Sequence, residues 1–116
     1  MRSLLAASLM LTFMQPALAA PARVWISEFA TTRVEAAAPI AQLPSLVRQP
    51  TLDISTGAKT SAAFNTATRY IRIVCELQCA VSGTGTATTA DILLPALKPE
   101  YFRVQGIKTV SVIAAP

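Results

Sequence analysis

Arg69-Tyr70-Ile71-Arg72-Ile73-Val74-Cys75, followed after Glu76-Leu77-Gln78 by Cys79-Ala80-Val81-Ser82, is the stretch whose reading decides the fold class. Ile71, Ile73 and Cys75 fall on one face and Tyr70, Arg72 and Val74 on the other. Alternation of that kind, in β-branched and aromatic residues, predicts a strand with one face toward a core. The three residues between the cysteines predict a hairpin loop that sets Cys75 opposite Cys79. Residues opposed in an antiparallel pair lie about 4.5–5.5 Å apart at Cα, a span that a disulfide bridges. The ring is small, so chain entropy contributes about 2 kcal/mol at most. The expected staple clips a hairpin tip and does not hold the fold together.

The same pattern extends in both directions. Arg23-Val24-Trp25-Ile26-Ser27-Glu28-Phe29 and Ile92-Leu93-Leu94 read as strands. Thr51-Leu52-Asp53-Ile54 and Ser61-Ala62-Ala63-Phe64 read as strands on either side of the turn Ser55-Thr56-Gly57-Ala58. Tyr101 to Val104 and Lys108 to Ile113 flank Gln105-Gly106-Ile107 and predict a second hairpin, with Gly106 free to take a positive φ. Thr32 to Ala38 has room for one or two helical turns before Pro39, Pro44 and Pro50 stop anything longer. Residues 36–50 read either as an extended Pro-rich arm, lying on the domain or reaching for a neighbour, or as a plain surface loop. About seven short strands punctuated by turn residues predict an all-β fold, a small antiparallel β-sandwich or barrel.

The first twenty residues stand apart. Arg2 is followed by the apolar run from Leu4 to Met14, then Gln15-Pro16 and Ala17-Leu18-Ala19-Ala20. A basic start, an apolar run of roughly 7–15 residues and small residues at the end make the layout of a secretory signal peptide. The expected cut falls between Ala19 and Ala20, since a cut after Ala20 would place Pro21 directly beyond the scissile bond. The run is too short to span a bilayer, which needs about 20 apolar residues. Initiation at Met14 is the alternative start. Removal of residues 1–19 leaves 97 residues, net charge +3 and a single β-domain over 20–116, with no later segment long and apolar enough to span a bilayer, so no membrane association is expected after the cut. Two cysteines in an exported chain predict one disulfide and a periplasmic or secreted location.

Most catalytic chemistry is absent from the composition. The 116 residues include no histidine, which removes His-based triads, Cys-His pairs and His-ligated metals, and 53% of them are hydrophobic against 14% charged. Four zinc ligands cannot be assembled without histidine from one cysteine pair. Gly83-Thr84-Gly85-Thr86 lacks the third glycine and the helix of a nucleotide fingerprint and reads as a polar loop. A Ser-Lys arrangement on Lys59, Lys98 or Lys108 has no spacing that selects it. The carboxylates Glu28, Glu35, Asp53, Glu76, Asp91 and Glu100 form no pair that sequence spacing singles out. No catalytic residue, metal or cofactor is therefore expected.

The isoelectric point is about 9.6. Arg69, Tyr70, Arg72, Tyr101 and Arg103 would permit a nucleic-acid platform, with Tyr70 and Arg72 on one outer face. The basic residues are dispersed rather than run together, so a solvated sheet face is the favoured reading and no nucleic-acid partner is expected. The apolar content is high for this size and points to protein partners or self-association.

Residue order adds a resemblance. Ser61-Ala62-Ala63-Phe64-Asn65 leads into Thr68-Arg69-Tyr70-Ile71-Arg72, the cysteine-bearing segment, Gly83, Thr86-Ala87-Thr88, Leu94-Pro95-Ala96, Pro99-Glu100-Tyr101-Phe102, and Val104 with Gly106. Together with Trp25 to Phe29 and Gln49 to Ser55, this order resembles small proteins encoded among the structural genes of tailed bacteriophages and prophages, over most of residues 22–113. The resemblance implies a virion-associated accessory β-domain that binds other subunits, and it names no catalytic or ligand-binding residue. An export signal departs from that family, whose members assemble in the cytoplasm. The expected function is a non-enzymatic interaction or structural module, virion-associated or exported; the alternative is a periplasmic or secreted binding domain unrelated to phage.

Overall fold

Alternation along the first strand sets the architecture. In β1 (Arg23–Phe29) Val24, Ile26 and Glu28 are buried, while Arg23 and Trp25 on the opposite face are exposed. A computed structural model describes residues 20–30 and 43–116, and residues 33–35 and 38–40 as backbone. The expected signal peptide, residues 1–19, lies outside the described residues, as do parts of the Pro-rich arm.

The remaining strands are β2 (Arg33–Glu35), β3 (Ala38–Ile40), β4 (Val47–Arg48), β5 (Leu52–Asp53), β6 (Lys59–Thr60), β7 (Tyr70–Cys75), β8 (Cys79–Ser82), β9 (Ile92–Leu94), β10 (Glu100–Arg103) and β11 (Ser111–Ala114). Nine of them make a β-sandwich. One sheet runs β10-β7-β1-β4, with β5 also on β1; the other runs β6-β11-β8-β9, and every pairing is antiparallel. β2 and β3 pair with each other, Arg33 opposite Ile40, so this part of Thr32–Ala38 is extended where one or two helical turns were an option.

The far end of the arm is a sheet edge. Leu46 N donates to Glu28 O at 2.8 Å and Gln49 N to Ile26 O at 3.0 Å, so residues 46–49 follow β1. Pro50 cannot donate to a ladder, and the edge is split there into β4 and β5.

The two expected hairpins are instead sheet-to-sheet crossings. β7 belongs to the first sheet and β8 to the second; β10 and β11 are divided the same way. At the corner after β7, Glu76 N donates to Arg23 O at 2.8 Å and Leu97 N to Cys75 O at 2.7 Å, so β7 remains bonded to the first sheet's side of the corner until it turns. A three-residue connection serves a hairpin or a corner equally well, and alternation specifies a strand's faces without specifying its partner. Ser61 to Phe64 is irregular, and the strand expected there is Lys59–Thr60, in the second sheet.

The core sits between the sheets. Val24, Ile26, Ile54, Ile71 and Ile73 meet Val81, Leu94, Val110 and Val112, and all are buried. The Cys75–Cys79 disulfide, with Cα atoms 6.3 Å apart, lies within this cluster and both cysteines are wholly buried. It therefore ties the two sheets at a corner, where a clip on a hairpin tip had been expected.

The outside of that corner is held by charge. Arg23 Nε and Nη2 donate to the two carboxylate oxygens of Glu76, each at 2.9 Å, and Arg23 N donates to Glu76 Oε2 at 3.0 Å. The Arg23 guanidinium, first through its hydrogen bond, lowers the Glu76 carboxyl from 4.5 to about 2. A depressed folded-state carboxyl contributes stability that is complete above its unfolded value and is lost as pH falls through its folded value. Between pH 4.5 and 2 the wild type should thus lose a stabilisation that Glu76→Gln never had. Thermal melts should separate the two proteins at pH 6 and bring them together near pH 2. The pair is solvent-facing, so the separation should be small and should shrink further in high salt.

Candidate functional site

The loop between β6 and β7 and the loop between β10 and β11 lie side by side. Ser61 N donates to Val110 O and Phe64 N to Lys108 O, both at 2.8 Å, and Val104 N donates to Arg69 O at 3.0 Å. Ser61 Oγ accepts from Val110 N at 3.0 Å and donates to Ala62 O at 3.0 Å. Asn65 shapes the first loop's turn, its Oδ1 accepting from Ala67 N at 2.9 Å and its carbonyl from Thr68 N at 3.0 Å. The second loop turns at Gly106, whose φ of +81° disfavours any residue with a Cβ.

Between the loops is a groove of about 720 Å³. Phe64 and Ile107 line it as half-buried apolar groups that also pack on the core. Arg69, Arg103 and Lys108 are exposed around it. Among the described residues none of these three cations makes an ion pair with a carboxylate. The groove can therefore accept an apolar side chain flanked by negative charge.

A buried polar cluster fastens the groove to the sandwich. Glu28 is only 1% exposed. Its Oε1 accepts from Thr68 Oγ1 at 2.7 Å and from Asn65 N at 2.8 Å; its Oε2 accepts from Gln49 Nε2 at 3.0 Å. Gln49 cannot turn over, because Nε2 also donates to Ala62 O and Oε1 accepts from Ala62 N, both at 3.0 Å. One acid on β1 thus anchors the arm and the groove loop, with each carboxylate oxygen occupied by donors. A buried polar group satisfied in this way holds loops in place.

The structure disperses the other residues that the sequence had singled out. Cys75 and Cys79 are in the core and neither lines the groove. Ala20 is exposed, and Ala19 lies outside the described residues. Gly83 to Thr86 is an exposed loop, as its composition indicated. Lys59, Lys98 and Lys108 are exposed, and the buried Ser61 and Ser111 hydroxyls accept from backbone N–H groups. Asp53 is held below the usual carboxylate range, first by the Ser55 amide and also by the Ala22 amide. Asp91 caps Thr88 N at 2.7 Å, and Glu100 is exposed. Among the described residues there is no group of three His, Cys, Asp or Glu side chains placed to hold a metal.

Glu28, Gln49, Asn65 and Thr68 escaped sequence reading as a set, because the last three lie 21, 37 and 40 residues from Glu28. One signal was present. Glu28 follows Val24 and Ile26 on the core-facing parity of β1, and a charge on an apolar face demands partners. Compared with known protein families, curated proteins and solved structures, the chain matches none.

Proposed function

We propose that this chain is a non-enzymatic interaction module that holds an acidic, partly apolar segment of a protein partner in the groove between residues 63–69 and 103–108. The observation that carries the reading is the groove itself, with Phe64 and Ile107 beside Arg69, Arg103 and Lys108. Apolar burial supplies the affinity and the cations select the partner and its orientation. Glu28 supports the reading by serving as the groove's fastening, with both carboxylate oxygens already hydrogen-bonded. The role is the one suggested for the phage virion accessory domains that the residue order resembles.

The disulfide favours a second form of the same reading, a periplasmic or secreted binding domain unrelated to phage. A cystine in the core suits an oxidising compartment. Intact mass of the protein from its native host separates the two. Loss of residues 1–19 and of two cysteine hydrogens supports export; retained Met1 or Met14 with free thiols supports a cytoplasmic virion component. Capsid, portal and tail genes next door would favour the virion form, and an isolated secretion operon the other.

Binding through the groove is tested by photo-crosslinking. A photoreactive residue at the exposed Thr66 should capture one protein partner, and Arg69→Glu with Lys108→Glu should abolish the capture. Equal capture from the exposed Lys59, in the second sheet, would remove the groove from the explanation. Hydrolytic turnover lost on a single Ser or Lys substitution would overturn the non-enzymatic reading.

A further inference from the structure

A second surface, sharing no lining residue with the groove, lies on the outer face of the five-stranded sheet. The register places Arg48 opposite Ser27, Ser27 opposite Arg72 and Arg72 opposite Tyr101, one row across four strands. Trp25 lies two residues before Ser27 on the same face and is 37% exposed. Arg48 and Arg72 flank Ser27 at a backbone distance of about 10 Å, two strand spacings. A recess of about 630 Å³ opens here, lined by Trp25, Ser27, Arg48 and Arg72 together with Gln49 and Thr51.

The recess itself holds positive charge and no carboxylate; Asp53, opposite Arg23 toward one end of the same face, lies outside its lining and accepts from the Ala22 and Ser55 amides. Among the described residues neither Arg48 nor Arg72 makes an ion pair. The nearest acid along the strand, Glu28, points into the core, and Glu76 at the far end is taken by Arg23. Two guanidiniums in register, without a carboxylate between them, repel each other until an anion spans them.

We propose that this face binds an acidic polysaccharide, a linear polymer carrying uronate carboxylates. Guanidinium forks take carboxylates in a bidentate fashion. The Arg23 guanidinium lies over the Trp25 ring, 5.7 Å from its centroid, and the exposed remainder of the indole offers an apolar contact for the C–H face of a pyranose ring. The alternative polyanion, single-stranded nucleic acid, needs several open rings on which successive bases stack. Here Trp25 is only 37% exposed and Tyr70 and Tyr101 are half-buried, so the face presents no run of open rings. The core cystine also suits the oxidising side of a membrane, where acidic polysaccharides are among the polyanions met.

Trp25 is the sole tryptophan, so its fluorescence reports on this face directly. The disulfide-bonded full protein is titrated with polygalacturonate, with neutral dextran and with oligo(dT) at one salt concentration. Polygalacturonate should shift the Trp25 emission with saturation, and raised salt should weaken binding. Dextran should leave the emission unchanged. Arg48→Ala and Arg72→Ala should each weaken polygalacturonate binding by about tenfold, the loss of one charge-assisted pair. Thermal melts of these variants should match the wild type, since Arg48 is exposed and Arg72 half-buried on the outer face. The proposal is overturned by absent saturation, by equal affinity for dextran, by tighter binding of oligo(dT), or by unchanged affinity in both arginine variants. Groove variants such as Arg69→Glu should leave this titration unaltered, so its failure and that of the groove reading are distinguishable.

Discussion

Glu28→Ala should destabilise the protein by roughly 2–5 kcal/mol, since each buried donor left unpaired costs about 1–3 kcal/mol. The substitution deletes the acceptor of three hydrogen bonds and leaves the buried Thr68 hydroxyl and one N–H of Gln49, with the part-buried Asn65 N–H, short of a partner. A domain of this size has a total stability of about 5–15 kcal/mol, so this variant should lose a large share of it. Glu28→Gln is the gentler test. Its carbonyl can replace one carboxylate oxygen, but its amide then meets Gln49 Nε2 donor to donor, and Gln49 is held by Ala62 at both ends. The expected cost is about 2 kcal/mol, the penalty of one unpaired buried donor. Urea denaturation should show a lower midpoint with an unchanged slope. A double-mutant cycle of Glu28→Gln with Gln49→Ala should reveal coupling above about 0.5 kcal/mol. Wild-type stability in Glu28→Ala would mean that the groove loops are held by something else.

Removing the disulfide should cost nearly as much. Cys75→Ala with Cys79→Ala should lower stability by about 2–5 kcal/mol, although the loop it closes is short. Chain entropy supplies only about 2 kcal/mol for so small a ring. The remainder comes from position: both cysteines are wholly buried beside Val24, Ile73 and Leu94, so losing both sulfurs opens a void between the sheets. Thiol–disulfide exchange needs access to a sulfur. Dithiothreitol should therefore leave the folded protein oxidised by intact mass and reduce it promptly in urea. Rapid reduction without denaturant would place the cystine at an exposed hairpin tip, as the spacing alone had indicated.

The cystine illustrates how far the sequence could be read. Residue spacing identified the Cys75–Cys79 bond and the parity of β7, because both are local properties. It also indicated β1 and β9, and the positive φ at Gly106. It misjudged the partners of four strands, because β7 and β8, like β10 and β11, are joined by connections of hairpin length that instead carry the chain across to the other sheet. The same gap hid the functional surfaces. The groove joins residues 63–69 to 103–108, and its fastening depends on an acid at position 28.

By itself the sequence determined that this protein is built of strands, which side of β7 faces inward, and that Cys75 pairs with Cys79. Those outcomes depend on contacts within a few residues, where side-chain period and turn chemistry act. Strand order, the inter-sheet position of the disulfide, the Glu28 cluster and the row from Arg48 to Tyr101 were decided by tertiary structure. Each requires segments twenty to forty or more residues apart to pack in one particular register, a choice set by the free energy of the whole sandwich rather than by any local pattern.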